Sequence, residues 1–274
     1  MLRNRINRPT NWMDTMNVKY RNARTIVEGA VTTEPVVVTG TRGTAYGTSD
    51  FTITQDTLTI STKKIVNIFI DRADLAQQSY VDGMKMGEMQ GKLISEHLES
   101  AVLAQFASWT DFGVTDLSNT GDDDSSQITV SATNIDDIIR AIKRKIYANN
   151  GVEFATEKGM FIVWRASDFE LLEGFVQANG FTEADIALKN GIPVQRGFYY
   201  GGVTHYLSNS HTANHVFAGV KGMGDLGILS GTFGQVVFVE DPLGKSGVGV
   251  VSRVDYGFSW PTYYAEYFMD VNVA

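Results

Sequence analysis

Apolar and polar positions change rhythm several times along the chain, and each change marks an element. From Thr25 to Thr39 the run T-I-V-E-G-A-V-T-T-E-P-V-V-V-T is rich in β-branched residues, and F-T-I-T-Q-D-T-L-T-I-S-T alternates apolar and polar residues with period two. Between them lies G-T-R-G-T-A-Y-G-T-S-D, a Gly-rich tip carrying Arg42 and Tyr46, so the pattern predicts a long β-hairpin. Threonine fills much of the alternation and bulky residues are scarce, so neither face is expected to be deeply buried in its own subunit. A lone two-stranded hairpin is marginal in water, which implies that this one lies on something else. K-K-I-V-N-I-F-I-D then reads as a strand.

The period next becomes helical. No proline interrupts residues 71 to 109, and Ile94, Leu98, Val102 and Phe106 recur at helical intervals. With Asp71 as N-cap, the helix predicted is about 35 residues and about 50 Å long, a structural girder. Gly83, Gly87 and Gly91 stand four apart within it, and Ser79 and Ser95 extend the row. Residues four apart share a helix face, so the five form a shallow trough about 24 Å long. Asp82, Lys85, Glu88 and Lys92 exclude a membrane there. Two readings of the trough stand side by side: a seat for a crossing segment of a neighbouring copy, or packing against the subunit's own sheet.

D-L-S-N-T-G-D-D-D-S-S-Q is expected as a solvated acidic loop. An amphipathic helix follows, I-D-D-I-I-R-A-I-K-R-K-I-Y-A-N-N-G, capped at Thr133 or Asn134 and ended by Gly151. G-M-F-I-V-W-R reads as a buried strand and S-D-F-E-L-L-E-G-F-V as a short helix capped by Ser167. The last third reads as strands with Gly-rich turns, and no repeat of fixed period is present. The order defines an α+β protein rather than alternating βαβ units.

The 274-residue chain, 43% apolar and 20% charged, is ordinary globular material without cysteine, which excludes disulfides and thiolate metal sites. The N-terminus has no apolar core of a secretory signal and no stretch is apolar enough to span a bilayer, so a soluble chain made in the cytoplasm is expected. Its net charge of −8 is uneven: residues 1 to 26 carry six basic groups against Asp14, net +5, leaving −13 elsewhere. Residues 1 to 26 have few apolar anchors and read as an arm without a core element. The basic arm either meets something anionic or is a solvated terminus.

Several motifs are tempting. Gly222, Gly224 and Gly227 match G-x-G-x-x-G, but I-L-S-G-T-F-G-Q follows where a dinucleotide site needs a helix N-terminus; a turn between strands is expected. G-K-S at 244 to 246 has Val239 where a phosphate loop needs its first glycine. His205, His211 and His215 lack a nearby acidic ligand in sequence, and Asp122, Asp123 and Asp124 lack the alternating ligands of a calcium loop. No catalytic, cofactor-binding or metal site is expected.

At I-F-I-D-R-A-D-L-A-Q-Q-S-Y-V-D-G, residues 68 to 83, the chain resembles the major capsid proteins of tailed double-stranded DNA phages, in which a strand ending in Ile-Asp leads into a long spine helix. N-G-I-P-V-Q-R-G-F-Y-Y-G-G-V-T-H-Y-L-S-N, residues 190 to 209, is similar to a segment of that family's axial domain, and R-V-D-Y-G-F-S-W-P to its final Tyr-Gly strand. The resemblance implies a Hong Kong 97-type capsid fold, divided as 1–27 N-terminal arm, 28–66 extended loop, 67–125 peripheral domain with spine helix, 126–232 axial domain and 233–274 return strands to the peripheral domain. It implies many copies, as hexamers and pentamers, in an icosahedral shell around packaged double-stranded DNA held by weak contacts. Portal, scaffold and decoration proteins are the further partners it implies, with assembly in the host cytoplasm and residence in the virion.

The resemblance also gives the candidate residues their roles. Gly83, Gly87, Gly91, Arg42 and Tyr46 become candidates for contact between subunits. Arg3, Arg5 and Arg8 become an arm that faces DNA or clasps a neighbour. Some members weld their shells through a lysine in the extended loop; here no lysine stands between residues 28 and 62, so a shell without covalent crosslinks is expected. No long scaffolding segment precedes the arm, so a separate scaffold is expected. An encapsulin-type nanocompartment shares the fold and would carry enzymes in place of DNA; a nucleotide-binding enzyme is the remaining alternative.

Overall fold

The computed structural model describes residues 10–33, 39–40, 42–43, 52–73, 83–118, 123–179, 198–240, 242–244 and 246–274. Two sheets carry the architecture. In the first, β1 (Asn17–Arg21), β10 (Asp225–Leu229), β12 (Gly247–Ser259) and β11 (Val236–Glu240) are joined in that order, and β4 (Thr62–Asp71) covers the other edge of β12. The 13-residue β12 is its axis: β4 pairs with it from Gly247 to Tyr256, while β11 and β10 share its opposite edge.

The second sheet runs β5 (Thr110–Phe112), β13 (Phe268–Asn272), β9 (His215–Val220), β6 (Met160–Trp164), β8 (Val203–Leu207), β7 (Phe198–Tyr200). Strand β6 is buried along its whole length, as its unbroken apolar run dictates. Helices α3 (Ile135–Ala148), α4 (Val152–Lys158) and α5 (Ala166–Asn179) accompany this sheet. The apolar stripe of α3, Ile135, Ile138, Ile139, Ile142 and Ile146, is wholly buried. Both sheets feed one continuous core. The boundaries at 126 and 233 do not follow sheet membership, because β10 lies in the first sheet and the chain's last strand, β13, in the second.

The hairpin is present as β2 (Thr25–Thr33) and β3 (Thr52–Thr59), a two-stranded antiparallel ribbon. The spine helix is described as α2, Gly83–Leu103, 21 residues. It stops short of the expected Trp109: Ala104 and Gln105 turn, and Phe106–Ser108 forms a short 3-10 turn, so that Phe106 stacks on His215 at 3.7 Å between ring centroids. Just past β4, Asp71 Oδ1 accepts the Ala73 N–H at 2.8 Å; the stretch 74–82, over which the expected helix would join it to α2, lies outside the described residues.

Residues 11–21 correct the reading of a coreless arm. The short helix α1 (Trp12–Thr15) inserts Trp12, 1% exposed, and Met16 into the core, and β1 then pairs in parallel with β10. The flanking polar residues are held by distant partners, Asn11 by Glu99 and Asn17 by Asp225.

Candidate assembly surfaces

Helix α2 is a platform with two working faces. Ile94, Leu98 and Val102 face the core as expected. The fully buried Gln90 fastens the helix to β12: its Nε2 donates to Val250 O at 2.6 Å, and its Oε1 accepts from Ser252 Oγ at 2.6 Å. Both ends of one amide are therefore satisfied on one strand, which fixes helix position along it.

The glycine row is occupied in parts by the chain itself. A Cβ at Gly87 would lie 3.2 Å from Val236 Cγ2, so this end of the trough sits against β11. At Gly91 no described residue approaches the position of a Cβ within 4 Å. At Ser95 the crossing segment is the chain's own N-terminal region: Trp12 Nε1 donates to Ser95 Oγ at 3.0 Å, and Ser95 Oγ donates to Thr10 Oγ1 at 3.3 Å. One turn on, Glu99 accepts the Asn11 backbone N–H at 2.9 Å and the Asn11 side-chain amide at 3.4 Å. Burial pushes the Glu99 carboxyl up, against the pull of these donors. Gly83 opens the described part of α2. Arg42 and Gly43 form an exposed turn, whereas Tyr46, Arg3, Arg5, Arg8 and Ser79 lie outside the described residues.

Among the described residues the hairpin is buried against the body at its base. Leu58 and Ile60 are buried, while the outer part of β3 is exposed residue after residue. Two close approaches make room for that base. A Cβ on Gly227 would strike Leu58 at 2.8 Å, and one on Gly257 would strike Thr59 O at 2.0 Å. Gly227, the last glycine of the nucleotide-like motif, is thus a packing position, and the motif is the turn between β9 and β10 that its sequence context predicts. Lys19 of β1 ties the ribbon to the body, its Nζ 2.6 Å from Glu28 on β2 and 2.8 Å from Asp225 on β10. Burial lowers the Lys19 pKa, but bonds to Asp225 and Glu28 outweigh it and the net shift is upward.

The remaining candidates have structural partners. His205 is fully buried and accepts the Trp164 indole N–H on Nδ1 at 2.9 Å, which leaves Nε2–H to face Tyr200 O at 3.1 Å; burial pushes it down to about 4. His215 Nδ1 sits 2.7 Å from Asp270 Oδ2. Among the described residues no three metal-ligating side chains converge. In the described part of the acidic loop, two aspartates have partners. Asp124 accepts from the backbone and hydroxyl groups of Thr115 and Ser126, which hold its carboxyl far below the ordinary range, and Asp123 approaches Lys145 at 3.5 Å. Lys145 in turn meets the buried Asp116 at 3.0 Å.

Sequence reasoning misses Asn11, Lys19, Gln90 and Glu99. For Gln90 and Glu99 a signal exists, because both are polar residues on the apolar side of the helix that bears Ile94 and Leu98.

No protein-family model and no curated protein matches the sequence. Solved structures do. The capsid of cyanophage P-SCSP1u aligns over 100% of this chain and 91% of that chain, with 13% identity and TM-score 0.69. The capsid of an empty GTA particle aligns over 100% of both chains, with 13% identity and TM-score 0.69. A chain of Mycobacterium phage Che8 aligns over 98% of this chain and 93% of that one, with 14% identity and TM-score 0.69. The chain has the fold of tailed-phage capsid proteins, the Hong Kong 97-type fold that its ordered segments resemble.

Proposed function

We propose that this chain is the major capsid protein of a tailed phage, a structural and not a catalytic component. Many copies associate, as hexamers and pentamers, into an icosahedral shell around double-stranded DNA. The observation that carries this reading is the hairpin: a ribbon of two strands, without a third strand among the described residues, whose buried side chains in β3 and just beyond it lie at its base. Such a ribbon is marginal by itself, and a neighbouring subunit supplies the surface it lacks. The full-length likeness to capsid structures supports the same role. The acidic body suits a wall that does not grip phosphates, while Arg3, Arg5 and Arg8 give the chain one basic segment for DNA or a neighbour. Portal, scaffold and decoration proteins are its further partners; it assembles in the host cytoplasm and resides in the virion.

The test is electron microscopy of the expressed protein together with nuclease-protected nucleic acid in the particles. Closed shells are expected; a small discrete oligomer overturns the reading, and shells that enclose protein cargo in place of DNA favour the encapsulin-type compartment. The shell is also proposed to lack covalent crosslinks, since no lysine stands between residues 28 and 62. Particles boiled in detergent should release single 30.1 kDa chains, and a ladder of multiples contradicts this.

A further inference from the structure

Charge is divided between two helices beside the second sheet. On α3, Arg140, Lys143, Arg144 and Tyr147 share one face and line a shallow depression of about 490 Å³. Arg140 is neutralised within the chain, with Nε 3.0 Å from Asp136 Oδ2 and a second contact to Asp137. Lys143 and Arg144 are held differently. Lys143 Nζ donates to Gly201 O at 2.6 Å, and Arg144 Nη2 donates to Asp116 O at 2.8 Å and Leu117 O at 2.9 Å. Carbonyl oxygens orient the two side chains, and neither forms a salt bridge among the described residues. Side chains already ordered lose less freedom when a partner arrives.

Helix α5 shows the opposite sign. Glu170 and Glu173 are one turn apart on it, and neither forms a salt bridge among the described residues. Burial first, and Glu170 second, push the Glu173 carboxyl up. Among the described residues the two helices therefore present unpaired charges of opposite sign.

We propose that Lys143 and Arg144 of one copy seat against Glu170 and Glu173 of an adjacent copy, giving a head-to-tail electrostatic contact between identical chains. The inference rests on the shell-forming reading. It prefers a second copy over nucleic acid because both halves of the contact are carried by one chain, and head-to-tail contacts close into rings when the rotation permits. Complementary charge of this kind selects the partner and its orientation.

Three variants test it beside the wild type: Lys143→Glu with Arg144→Glu, Glu170→Lys with Glu173→Lys, and all four together. Sedimentation reads shells and smaller capsomers in the same run, and circular dichroism checks folding. Each pair alone should lower the assembled fraction at least tenfold at 0.1 M salt, and the fourfold reversal should restore most of it. The wild-type contact should also weaken in 1 M salt, where the screening length falls from about 10 Å to 3 Å. Folded pair variants that assemble like the wild type overturn the contact while leaving the shell reading intact. So does a fourfold variant as defective as the pairs. Normal shells with reduced DNA in the Lys143/Arg144 variant assign that patch to nucleic acid instead. Absence of any assembly by the wild type overturns the shell reading and the contact with it.

Discussion

The backbone N–H of Asn11 donates to Glu99 Oε2 at 2.9 Å, joining the N-terminal region to the spine helix across 88 residues of sequence. Glu99 is 2% exposed and its carboxyl is pushed up by burial. A carboxyl raised above its unfolded value of 4.5 binds more protons in the folded state, so its stabilising protonation is present at low pH and is lost as pH rises above 4.5. Glu99→Gln should therefore gain on the wild type as pH rises from 4.5 to 7 in denaturant titrations. Glu99→Ala should cost about 1–3 kcal/mol, because the buried Asn11 N–H loses its acceptor. Identical pH slopes for wild type and Glu99→Gln count against this account.

Lys19 governs the hairpin's attachment. Its pKa is raised above 10.5 by the net effect described above, so its contribution is complete below 10.5 and disappears as pH climbs through the folded-state value. Lys19→Met should remove that alkaline loss. It should also speed proteolysis within residues 25–59 at neutral pH, since Glu28 and Asp225 then face one another without a cation. Limited trypsin-independent digestion, with a protease cutting at apolar residues, reads this directly. Unchanged cleavage rates show that Leu58 and Ile60 alone hold the base.

Elements with an undisturbed period are legible in the sequence. The five isoleucines of α3 and the alternation of β3 each identify their element without help from tertiary structure. The 11–21 segment is not legible, because its burial is largely polar. Asn11 finds Glu99, and Asn17 finds Asp225 208 residues away, and no local pattern encodes such partners. The spine helix is overextended by its pattern for a related reason. Phe106 keeps the apolar interval, yet stacking on His215 draws it off the helix axis. The trough of small residues is visible in the sequence, whereas its occupants, Val236, Trp12 and Thr10, are set by strand register and by the entering chain.

Trp12 makes the cost of that unread segment measurable. It is 1% exposed, meets Phe233 edge-on at 5.8 Å between centroids and donates to Ser95. Trp12→Ala should lower stability by about 3–5 kcal/mol, the range for a buried large aromatic. Trp12→Phe should recover most of the packing but not the bond to Ser95. A thermal melt of the two variants separates the terms, and near-identical melts for wild type and Trp12→Ala refute the burial.

The glycine row now divides into two experiments. At Gly87 a new Cβ meets Val236 Cγ2 at 3.2 Å, so Gly87→Leu should destabilise the subunit itself and says little about neighbours. At Gly91 the space is open, and alanine removes glycine's helical penalty, so Gly91→Ala should stabilise the subunit by about 1 kcal/mol. If the open stretch between Val236 and Trp12 seats a segment of an adjacent copy, Gly91→Leu should leave a folded subunit that assembles poorly. Normal shells from Gly91→Leu, with an unfolding midpoint at or above the wild type's, would assign the row to packing within one chain. The open position at Gly91, rather than the row as a whole, therefore decides between the two readings.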